Sequence, residues 1–184
     1  MSPQVKRLSS DQRDLKGRQA AVRGSVLLRQ GKAAQAIPLL ERAHSLIPED
    51  VPTAVNLGGA LIMCGRYEQA IEVLRPACDR EPDSAMIWVN LGAAYLGDLA
   101  TSSDEQQLRA IAAFERALEI EPIAPNVHYS LGLIHRHRNE IDRARRRFHQ
   151  AVQANPLDSH ARRAWERLQD EGKEKEQSAQ RPTD

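Results

Sequence analysis

Aromatic residues make up only 4% of the chain, so any core must be built mainly from aliphatic side chains. Hydrophobic residues still reach 41%, enough for one packed domain in 184 residues. There are two cysteines, Cys64 and Cys78, with neither CxxC nor metal-ligand spacing. They read as small buried hydrophobes in a reducing compartment. No apolar run approaches the ~18 residues needed to span a bilayer, and MSPQVKRLSSDQRD has no apolar centre for a signal peptide. A cytoplasmic protein is expected. Phosphate loop, HExxH and GxSxG are missing, and Ser25, Ser130 and the acids have no partners at catalytic spacing. The expectation is a non-enzyme without cofactor or metal.

What the chain does have is a period. Pro48, Pro82, Pro122 and Pro156 are separated by 34, 40 and 34 residues. Ala36, Ala70, Ala110 and Ala144 keep the same series, as do Ala43, Ala77, Ala117 and Ala151. Gly24, Gly58, Gly92 and Gly132 follow 34, 34 and 40, which places six extra residues between Gly92 and Ala110. Such a period is the mark of stacked helical hairpins. Within each unit the apolar residues fall on one helical face, as in Ala54, Leu57, Gly58 and Leu61, then Ala70, Leu74 and Ala77. Gly31, Gly65 and Asn139 suit left-handed positions at the turns between paired helices. Each proline stops the second helix.

These positions resemble the tetratricopeptide repeat family over residues 17 to 156. The third repeat matches best, with Trp88, Leu91, Gly92, Tyr95, Ala110, Phe114, Ala117 and Pro122; the fourth gives His128, Leu131, Gly132, His135, Ala144, Phe148, Ala151 and Pro156. The first is weakest, having Arg23 where the others have Leu, as suits an outermost helix. The resemblance implies an all-α fold, a right-handed α-solenoid of antiparallel helix pairs. The expected organisation is a disordered N-terminus (1–9), then four repeats within 10–157. These are 17–50, 51–84, 85–124 with the insertion, and 125–157. A capping helix (158–171) and a disordered tail (172–184) follow. Ser9 or Ser10 is expected to cap the first helix, and Trp165 to anchor the cap. His128 and His135 occupy the slots of Trp88 and Tyr95 and read as packing residues. Ser103 and Gln106 have capping-box spacing, so the third repeat's second helix should start near Ser103, run to about Ile120, and project about one and a half turns beyond its neighbours.

Charge is uneven. Residues 1–48 carry a net +6, residues 49–122 a net −8 and residues 134–163 a net +5, within an overall +1. Stacking turns this order into a basic–acidic–basic rod, which suits steering of a partner or self-association into a homo-oligomer. Arg136, Arg138, Arg143, Arg145, Arg146 and Arg147 form a basic patch that raises nucleic acid as an alternative partner. The neutral overall balance and the lack of interleaved aromatics argue against it.

In this family the first helix of each hairpin lines the concave surface, which usually holds a peptide or partner helix. Read from periodicity, that face carries Val55, Asn56, Gly59, Ile62 and Met63 in the second repeat. The third carries Met86, Val89, Asn90, Ala93 and Leu96; the fourth Asn126, Tyr129, Ser130, Leu133, Arg136 and His137. Asn56 and Asn90 stand in the same string NLG, and an amide pairs with a peptide backbone regardless of its sequence. Ser130 interrupts this ladder. A two-lysine, two-asparagine and arginine clamp for acidic C-termini, known in the family's co-chaperones, is not matched: Ala21, Ser25, Met86 and Asn90 stand at its positions and only Asn56 agrees. The expected ligand is therefore an apolar segment of another protein.

Overall fold

The computed structural model describes residues 9–124 and 126–179. Within them lie nine helices and no strand: α1 (Ser10–Arg29), α2 (Ala33–Leu46), α3 (Val51–Met63), α4 (Tyr67–Arg80), α5 (Ala85–Leu96), α6 (Asp104–Ile120), α7 (Val127–His137), α8 (Ile141–Ala154) and α9 (Ser159–Ala179). Helices α1 to α8 form four hairpins, each packed on the next, with α9 against α8. Residues 1–8 and 180–184 of the expected disordered ends lie outside the described residues.

Local chemistry sets the helix ends. Ser9 caps α1 in a capping box with Gln12, and Asp50 caps α3 by accepting from the Thr53 N–H at 3.0 Å. The second helices end at Leu46, Arg80, Ile120 and Ala154, two residues before each recurrent proline. Between paired helices the chain reverses through Gly65 at φ 72° or Asn139 at φ 60°, conformations open to Gly and, less readily, to Asn.

The hairpins close through small residues facing large ones. A methyl built on Gly58 would lie 2.6 Å from Leu74 Cγ, and one on Gly132 2.6 Å from Phe148 Cδ1. Only a residue without a side chain lets these helices approach so closely. Leu40, Leu74 and Phe148 are fully buried, and each adds about 2 kcal/mol of apolar burial. The core clusters run along the rod, one joining α2 to α5, a second around Phe114 and Leu131, and a third joining α8 to α9. Cys78 lies in the first, where burial, then Asp79, pushes its thiol up to about 11. Cys64 departs from expectation: it is exposed at the end of α3, past the last core position Leu61.

A hydrogen bond recurs between successive repeats. Trp88 Nε1 donates to the Pro82 carbonyl at 2.8 Å. His128, one repeat on, places Nε2 3.1 Å from the Pro122 carbonyl, the contact of an Nε2–H tautomer. On α9, Arg162 Nη2 reaches the Pro156 carbonyl at 2.7 Å. Three unlike side chains thus do one job at one register. Burial, opposed by the Pro122 contact and aided by Arg147, lowers the His128 pKa and keeps the ring neutral. His135 is also more than packing: it is buried and sets Nδ1 2.8 Å from Glu140 Oε2.

The inserted residues are divided between loop and helix. Ser103 caps α6 in a box with Gln106, as its spacing predicts. However, α6 has 17 residues against 14 in α2, α4 and α8. It therefore extends less than one turn further, not one and a half. The remainder forms a loop that leaves α5 through Gly97 at φ 59°, where Asp98 Oδ1 accepts from the Ala100 N–H at 2.9 Å.

Two expectations about the C-terminal end are revised. Extending the 34-residue period places Ala161 at the slot of Val127, Leu168 at that of Ile134 and Trp165 at that of Leu131. Ala161 and Leu168 are buried because their slots face the preceding repeat. Leu131, in the same slot one repeat earlier, is buried within the Phe114 cluster, but α9 has no following helix among the described residues to close over Trp165. Trp165 is accordingly half-exposed, its ring 5.2 Å from that of His149, and Leu168 is the deep anchor. The helix also continues to Ala179, where a disordered tail from residue 172 was expected. The segment is rich in Glu, Lys and Gln, which are good helix formers, and no proline occurs before Pro182.

Candidate functional site

The first helices present the predicted face at three levels. Among its large apolar members Met63 and Met86 are exposed, at 62% and 65%. Val55, Asn56, Gly59, Val89, Asn90, Ala93, Tyr129 and Leu133 are half-buried. Their partial burial is lateral: Val55 packs on the first core cluster, Val89 and Ala93 on the second, Tyr129 and Leu133 on the third. Tyr129 also tilts against Phe148 with ring centroids 5.6 Å apart. The face is therefore a shallow apolar track on a well-packed base, not a loose patch.

Asn56 and Asn90 occupy one register on α3 and α5. Neither amide has a hydrogen-bond partner among the described residues, so neither is needed to satisfy a helix end. Each leaves donors and an acceptor available beside apolar neighbours.

The arginine patch does not survive as one surface. Arg138, Arg143, Arg146 and Arg147 line a cavity of about 560 Å³ with residues of α6, including Leu108 and Glu115. Most of this charge is paired. Arg138 meets Asp104 at 2.9 Å and Glu140 at 3.1 Å, Arg143 meets Glu140 at 3.1 Å, and Arg147 meets Glu115 at 3.0 Å. Hydrogen bonding from Arg138, against the opposing effect of burial and with help from His135 and Arg143, holds the Glu140 carboxyl below its ordinary range. Arg145 turns to α9, pairing with Asp142 at 3.3 Å and donating to the Leu168 carbonyl at 3.3 Å. Arg136 and Arg146 alone of the six have no carboxylate partner among the described residues.

Arg136 instead faces the end of the first-helix track. It shares a cavity of about 240 Å³ with Tyr129 and with His160, Arg163, Ala164 and Arg167 of α9. His160, Arg163 and Arg167 escaped the sequence reading, which took α9 as a cover and nothing more. The signal was present: adding the 34-residue period to Asn126, Tyr129 and Leu133 gives 160, 163 and 167.

Two models of the tetratricopeptide repeat match the sequence, over residues 27–96 and 108–158, most of the chain, and the interval between them holds the inserted loop and the start of α6. The chain belongs to the tetratricopeptide repeat family. Its fold is similar to that of TTC0263 from Thermus thermophilus, with TM-score 0.70 and 22% identity over 83% of this chain and 80% of that one. MamA from Desulfovibrio magneticus RS-1 gives 0.68 and 21%, over 82% and 81%. A chain of the APC/C hetero-tetramer Cut9–Hcn1 gives 0.71 and 22%, over 81% of this chain but 29% of that one. No sequence match to a curated protein is found. Among the described residues no helix is long and apolar enough to cross a membrane.

Proposed function

We propose that the chain is a non-catalytic protein-interaction module, a scaffold or assembly factor, that holds a peptide or helix of a partner on the first-helix face of its repeats. The observation that carries this reading is the pair of unbonded amides, Asn56 and Asn90, set one repeat apart among half-buried apolar side chains. Extended or helical segments bind such faces through backbone pairing and small apolar pockets, with affinity on the order of micromolar. The internal pairing of Arg138, Arg143, Arg145 and Arg147 supports this over the nucleic-acid alternative, because a paired guanidinium must exchange one anion for another to gain a phosphate.

Affinity capture from the native cell, followed by titration of the captured protein, tests the reading. Asn56→Ala with Asn90→Ala should weaken binding about tenfold at unchanged stability. The loss caused by this double variant should be the same at low and high salt, whereas binding carried by phosphate contacts would fall steeply as salt rises. Equal binding by the double variant and wild type would remove the asparagines from the site.

A further inference from the structure

The first-helix track changes character where it meets α9. Up to Leu133 it is apolar with amides, whereas at the same register α9 supplies His160, Arg163 and Arg167, and Arg136 joins them from α7. Among the described residues no acidic side chain lines this cavity of about 240 Å³. Arg163 uses its guanidinium on the Ser159 carbonyl at 3.1 Å and lies 3.5 Å from His160 Nδ1. Arg136, Arg163 and Arg167 have no carboxylate partner among the described residues. That sets them apart from Arg138, Arg143, Arg145 and Arg147, each of which is held by a carboxylate.

We infer that this cavity is an acidic-residue subsite, receiving the carboxylates of a partner segment whose apolar part lies along α3, α5 and α7. The inference rests on the proposed groove and names the chemistry at one end of its ligand. Charge complementarity carries it. Three arginines line one cavity with a tyrosine beside them, and planar, forked donors suit carboxylates. The charges sit on the last repeat and the capping helix, so the ligand's direction is fixed: apolar residues toward α3, acidic residues toward α9. An acidic segment of a protein is favoured over a nucleic acid because the charge is confined to one end of an otherwise uncharged track, where a polyanion would find nothing further to pair with.

The test is selection of random dodecapeptides displayed on phage against the full chain, against Arg163→Glu with Arg167→Glu, and against the milder Arg163→Gln with Arg167→Gln, each first shown to be helical and cooperatively folded. Selected peptides should join an apolar stretch to Asp or Glu at one consistent end, enriched about fivefold or more. Both variants should lose the acidic preference and keep the apolar one. Acidic enrichment that persists on both variants would overturn the subsite, as would peptides without acidic enrichment, or no selection at all. Single-stranded DNA displacing the selected peptides as well as free acidic peptide does would overturn the assignment to a protein segment. Acidic enrichment without an apolar pattern would support the subsite while removing the groove reading.

Discussion

Two groups of arginines lie within a few turns of each other and differ in everything except residue type. Around α8, Arg138, Arg143, Arg145 and Arg147 are held by Asp104, Glu140, Asp142 and Glu115. At the end of the first-helix track, Arg136, Arg163 and Arg167 line one cavity without an acid among the described residues. Counted along the chain, all of them except Arg167 belong to one basic stretch, of net +5 over residues 134–163. In space one group fastens repeats together and the other remains available. Formal charge therefore says little about usable charge until partners are known.

The contrast can be broken at its shared foundation. Phe148 is fully buried between the two groups, against Gly132 and Tyr129. Phe148→Ala should cost roughly 3–5 kcal/mol, seen as an early denaturant midpoint, and should loosen both groups together. A smaller break separates them. Leu168→Ala should cost about 2–3 kcal/mol and release α9 with Arg163 and Arg167, while hydrogen exchange in α7 and α8 stays protected. Trp165→Ala should cost about half as much, because that ring is half-exposed. A larger effect at Trp165 than at Leu168 would contradict the assignment of the anchor.

Glu140→Gln tests the paired group alone. It weakens contacts to Arg138, Arg143 and His135 and should cost about 1–2 kcal/mol at neutral pH. The carboxyl is held below its ordinary value, so its contribution is complete above the ordinary carboxylate range and is lost as pH falls through the lowered folded value. The gap between wild type and variant should shrink on acidification; a gap that widens would reverse the sign of the linkage. Least affected should be the stability of Asn56→Ala with Asn90→Ala, within about 0.5 kcal/mol of wild type, since both amides are unbonded.

The repeat period located the turn at Gly65, a requirement that recurs along the chain, and capping-box spacing located the cap at Ser103, which needs only residues three apart. Neither could reveal that Arg147 would find Glu115, 32 residues away, since pairing between hairpins depends on rotamer and stagger. The buried role of Leu168 was hidden for another reason. Apolar spacing marks a face but not which neighbour it meets, and α9 packs on the preceding hairpin with no following helix among the described residues. His160, Arg163 and Arg167 were legible only by carrying the period past the last proline of the repeats.

The three core clusters are graded. The first joins buried residues from four helices, while the third has only Ala144, Phe148 and Leu168 fully buried among the described residues. In a linear array such a gradient makes local opening begin at one end. Fraying should start at α9 and reach the α2–α5 block last. The cationic end of the track thus rests on the segment that opens most readily, and a ligand bridging α7 and α9 would bind only the closed form. Occupancy then pulls that equilibrium shut by mass action, so capture of a partner and ordering of the chain's end become one event, readable as slowed proteolysis after α8.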